Sequence, residues 1–150
     1  MKIGECYAGN HEHRDAGTFQ LFYKGMLSID SGHYTLYGTA SHANQQSTLA
    51  HNGILIKVPE LDNGDSYHGS QRKMKETRTN ASWLAEEGYR IGIPEGVSYS
   101  VKDGVCEYAY LAGNNAPAYD KETGIEYLSR RMLSVFTDSE KNPLIFATYD

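Results

Sequence analysis

The chain has 150 residues, 39% of them hydrophobic, and a formal charge of −5. This length suits one domain spanning residues 1–150 with a single modest core, and the apolar share is too high to force disorder. The acidic balance argues against a nucleic-acid partner, which needs a basic face, and no apolar stretch reaches the roughly 18 residues of a membrane span.

At the N-terminus, Met1-Lys2-Ile3 leads directly into Gly4-Glu5-Cys6-Tyr7, without the apolar core of an export signal. Ala16–Tyr23 reads as an aromatic-rich strand, Lys24-Gly25 as a turn, and Met26–Asp30 as a second strand ended by Ser31-Gly32. Together these predict a β-hairpin. Residues 33–46 are polar and loop-like. Ser47–Val58 reads as a third strand with an Asn-Gly interruption, closed by Pro59. Residues 59–70 are turn-rich, and 82–90 fit a short helix or a strand equally well. Val105–Leu111 is a clear strand and Gly113–Thr123 a loop. Ile125–Phe136 stays open, because its apolar positions 125, 128, 132 and 135 also fit a helix. Pro143–Tyr149 is a final strand. Short strands separated by Gly, Asn and Asp turns predict an all-β fold, an antiparallel β-sandwich or open barrel. Because the His-rich stretch begins near residue 1 and the last strand runs to the end, the domain is expected to be cut at both ends. Such a piece is expected to expose strand edges and so to favour a homo-oligomer. The cysteines, Cys6 and Cys106, form no CxxC motif, which leaves a disulfide and two free thiols equally open.

The chemistry concentrates in Gly9-Asn10-His11-Glu12-His13-Arg14-Asp15. On an extended segment, alternate residues face the same way, so His11, His13 and Asp15 can share a face. Two imidazoles and a carboxylate suit a divalent cation. Asp30 and His51 are further candidate ligands. A His-x-His also describes a polar loop with two solvated histidines. A two-residue hairpin at Lys24-Gly25 sets Asp30 opposite Phe19 rather than His13. For Asp30 to meet His13, the chain between His13 and Thr18 must fold back, which Gly17 permits.

Cupins carry a comparable His-x-His on a small barrel, but they need a Glu four or five residues after the second His, where this chain has Gly17 and Thr18. The run GNHEHRDAGTFQLFYKGMLSIDSGHY, followed by TLAHNGILI, GSQR, YAYLAGNNAPAY, EYLSRRMLSVF and NPLIFATYD, more closely resembles the C-terminal part of heparinase II/III-like polysaccharide lyases. The resemblance covers nearly the whole chain. It implies a supersandwich-like β-domain that works with an N-terminal α/α toroid, the active site lying between the two. It also implies a structural zinc held by His13, Asp30 and His51, with His11 as a catalytic residue and Tyr34, Gln71 and Arg72 near the substrate. The implied substrate is an acidic polysaccharide, heparin-, heparan sulfate- or alginate-like, cleaved by β-elimination. The implied setting is periplasmic or secreted. A non-catalytic carbohydrate-binding module and a cupin-like metalloenzyme are the alternatives carried alongside it.

Overall fold

A computed structural model describes residues 1–3, 13–31, 45–57, 71, 92–119, 121–136 and 143–150. They form an all-β structure with two antiparallel sheets. A hairpin of β1 (Leu21–Phe22) and β2 (Met26–Ser28) makes the smaller sheet. The larger sheet takes β3 (Ile93–Lys102), β4 (Val105–Asn114), β5 (Ser129–Phe136) and β6 (Pro143–Tyr149) in sequential order.

The first hairpin turns where the sequence predicts. Lys24 takes a left-handed φ of 53°, Leu21 faces Ser28, and the register slips by Phe22. Its strands are shorter than the expected Ala16–Tyr23 and Met26–Asp30. The second hairpin, β3–β4, turns on Asp103-Gly104, both left-handed, with φ of 50° and 75°. Lys102 pairs with Val105 across this two-residue connection. Two positive φ values match the right-handed twist of the flanking strands, which is why Asp-Gly suits the position. No element was expected over Ile93–Lys102, where Pro94 and Gly96 weaken the strand signal.

Val105–Leu111 forms a strand as expected, but β4 continues through Asn114 into the predicted loop. Within the open stretch Ile125–Phe136, residues 129–136 form a strand. Arg130 and Met132 are buried while Arg131 and Leu133 are exposed, the two-residue alternation of a sheet with one covered face.

The expected third strand, Ser47–Val58, is replaced at its start by a 3₁₀ turn over Thr48–Ala50 and a further turn at His51-Asn52. Polar side chains take up the neighbouring backbone here. Thr48 Oγ1 donates to Arg14 O at 2.8 Å, and Asn52 Nδ2 donates to Phe19 O at 2.9 Å. Such side-chain bonds compete with a strand ladder, and Ser47 and Thr48 are fully buried while making this loop.

Residues 17, 19 and 52 of the N-terminal part contact β5 and β6 of the larger sheet. Phe19 meets Phe146 with ring centroids 5.0 Å apart, and Ala16, Ala118 and Tyr119 form a small core cluster. Arg130 joins the layers: it donates to Gly17 O at 3.1 Å and Asn52 O at 2.6 Å, and pairs in bidentate fashion with Asp150 at 2.6 Å. Cys106 is a free thiol.

A candidate metal-ligand cluster built on one loop

The loop over residues 46–52 gathers three segments that are distant in sequence. Arg14 N donates to Gln46 O at 2.8 Å, and Thr48 holds Arg14 O, which fixes His13 against the loop. Ser31 N donates to Ala50 O at 2.7 Å, which sets Asp30 beside His51. The fold-back needed between His13 and Thr18 is a turn. Thr18 N and Oγ1 both donate to Asp15 O, and Gly17 has a φ of +74°. A left-handed third position is what a type II turn requires, and glycine supplies it without a Cβ clash.

His13, Asp30 and His51 therefore come together, with His51 in the middle. Its Nε2 lies 3.2 Å from His13 Nδ1, and its Nδ1 lies 3.0 Å from Asp30 Oδ1. Gln20 Nε2 reaches the other oxygen of Asp30 at 3.2 Å. This follows from the hairpin register, which brings Gln20 and Asp30 to the same end.

The His51 side chain is only 2% exposed, yet among the described residues its Nδ1 has no aligned hydrogen-bond partner. Asp30 is near in distance but not in line. An orphaned buried nitrogen is costly unless something else engages it. A divalent cation fits that need, since imidazole nitrogen and carboxylate oxygen are zinc donors. Ligand atoms of a tetrahedral zinc, with bonds of about 2.1 Å, lie roughly 3.4 Å from each other, so each pair taken alone is spaced for a shared cation, but His51 turns one ring nitrogen to His13 and the other to Asp30, and one cation does not reach both as they stand. Among the described residues, no three acidic, His or Cys side chains surround a single point. The fold provides pairwise proximity, with His51 offering a different ring nitrogen to each neighbour.

The His13 pKa is lowered from its ordinary value of 6.5, first by burial and next by the adjacent His51; Lys2 adds to the depression, while Asp15 and Asp30 oppose it. A neutral imidazole is the form that ligates a metal, so this environment keeps His13 ready for that role. Asp15 does not join the cluster. Its carboxylate pairs with Lys2, and its carbonyl opens the 15–18 turn.

Gln71 is 3% exposed and bonded throughout. Its Oε1 accepts from Ala16 N at 2.9 Å, and its Nε2 donates to Ala16 O at 3.0 Å and Tyr119 Oη at 3.1 Å. Tyr119 in turn donates to Ile54 O at 2.6 Å. This gives Gln71 a framework role, bracing the turn that follows His13. His11, Tyr34 and Arg72 lie outside the described residues.

The sequence pointed to Arg130 or Arg131 as a framework residue, and Arg130 is one, but it did not mark the other residues that position the cluster, Gln20, Thr48 and Asn52. Only Gln20 had a usable signal, through the hairpin register. The rest act through backbone carbonyls that no residue pattern marks. No protein-family model matches the chain, and no curated protein does.

Proposed function

We propose that this chain is the metal-carrying β-portion of a polysaccharide lyase of heparinase II/III-like kind, acting on an acidic polysaccharide outside the cytoplasm together with an α/α toroid. The observation that carries the reading is the pairwise approach of His13 and Asp30 to His51, whose buried Nδ1 has no aligned hydrogen-bond partner among the described residues. Those are the positions that the resemblance gives as zinc ligands.

Bound zinc would act structurally, fixing the 13–18 turn, the β1–β2 hairpin and the 46–52 loop relative to one another. His11, two residues before His13, would be aimed by that rigid support. In β-elimination a base removes the C5 proton of a uronate while the neighbouring carboxylate is neutralised, and an acid protonates the departing glycosidic oxygen. An imidazole with a near-neutral pKa suits His11 to proton transfer or to neutralising that carboxylate. The toroid would supply the tyrosine acid.

The test is release of unsaturated uronate, followed by its ultraviolet absorbance, from the full enzyme carrying this domain. His11→Ala is expected to abolish turnover while zinc content is retained. Undiminished turnover in His11→Ala, or no elimination product from any uronate polymer, overturns the reading.

A further inference from the structure

Alternation along β5 sends Arg130 into the layer that carries His51 and sends Arg131 to the opposite face of the sheet. On that far face Arg131 stands level with Ala112 and Tyr149, and Leu133 with Tyr110 and Ala147. Tyr110, Arg131, Leu133, Ala147 and Tyr149, with Met132 and Thr148, line a groove of about 490 Å³, a size that takes a small ligand. Tyr149 is 69% exposed, and the Arg131 guanidinium lies 5.8 Å from its ring centroid. Ala147 leaves the floor between the two tyrosines low. Two strand spacings and a two-residue offset along the strand separate Tyr110 from Tyr149, roughly 12 Å on the sheet face.

The chain as a whole is acidic, but among the described residues the one charged side chain lining this groove is the Arg131 cation. Asp150, the residue after Tyr149, pairs with Arg130 of the covered face. Flat aromatic faces flanking an apolar floor suit the C–H faces of pyranose rings, and a guanidinium pairs with a carboxylate or sulfate. We propose that this far face of the larger sheet is a binding site for an acidic oligosaccharide, separate from the His13–His51 cluster. Sugar rings stack on Tyr110 and Tyr149, and Arg131 holds the acid group. The inference rests on the groove alone and stands whether or not the chain belongs to a lyase.

The experiment is an NMR titration of the chain with an oligomer of a uronic acid and, separately, with a neutral oligosaccharide of equal length. The oligouronate is expected to shift amides of β5 and β6 around Arg131–Leu133 and Ala147–Tyr149. Arg131→Gln should weaken that binding about ten-fold, and Tyr149→Ala comparably, while Tyr149→Phe retains it. The neutral sugar should bind more weakly, with no dependence on Arg131. All three substitutions are at exposed positions and should leave zinc content and circular dichroism unchanged, which separates this result from the fate of the metal cluster. Three outcomes overturn the proposal: no shifts at these amides, binding undiminished by both Arg131→Gln and Tyr149→Ala, or concentration-dependent self-association through the same amides that the oligouronate does not displace.

Discussion

His51 is held by its neighbours rather than by its own segment. The backbone places it between His13 and Asp30, and burial leaves its Nδ1 without an aligned partner among the described residues. Removing it is expected to abolish zinc uptake, because both contacts of the cluster pass through this ring. Isothermal titration of His51→Ala with zinc checks this, and uptake at wild-type affinity would refute it. His13 gives a pH signature in the metal-free chain. Its folded pKa lies below 6.5 because burial disfavours the imidazolium, so the folded state binds fewer protons than the unfolded state. The stability His13 permits is therefore complete above about pH 6.5 and falls as pH drops toward its folded pKa. Denaturant midpoints at descending pH should show this slope, and His13→Gln should flatten it. Gly17 tests the turn. A Cβ there would come within 2.8 Å of the Asn115 side chain at a φ of +74°, so Gly17→Ala should cost at least about 1 kcal/mol in denaturant unfolding.

At the scale of elements, Arg130 connects β5 to the loop carrying His51, through the carbonyls of Gly17 and Asn52. Arg130→Met leaves two carbonyls and Asp150 unpaired, and is expected to destabilise the chain by about 3 kcal/mol, with weaker zinc binding as a second readout. Asp150→Asn keeps the carbonyl bonds and should cost about 1 kcal/mol. The elements were legible where local chemistry decides them. Lys24-Gly25 marks its hairpin, and Val105–Leu111 and Pro143–Tyr149 are strands as their composition suggests. Ile93–Lys102 was not legible, since Pro94 and Gly96 interrupt it and its order comes from pairing with β4. Ser47–Val58 misled, because its apolar content suggests a strand while Thr48 and Asn52 bond to backbone elsewhere in the fold. The helix-or-strand ambiguity of Ile125–Phe136 was resolved by the two neighbours of β5, β4 and β6, which no local pattern announces.

At the scale of the whole molecule, the turn after His13 and the loop carrying His51 are bonded to Arg130 of the larger sheet, so the cluster's geometry depends on distant contacts. Residue types and spacing grouped His13 with His11 and Asp15 and offered Asp30 and His51 as further candidates; the set of His13, Asp30 and His51 came from the resemblance. The placement of His51 between the other two came only from long-range backbone bonds such as Ser31 N to Ala50 O. A cation bound at the cluster should hold the 13–18 turn, the hairpin and the 46–52 loop as one unit. It should therefore stabilise the folded chain in proportion to its affinity, by about 4 kcal/mol at a thousand-fold excess over Kd. The decisive measurement is metal content by mass spectrometry together with thermal unfolding, before and after chelation. The expected result is about one zinc per chain, lost in His51→Ala, with a clear fall in Tm on chelation that zinc reverses. A chain that purifies without zinc, takes up none on titration and unfolds at the same temperature with and without chelator would contradict the assignment.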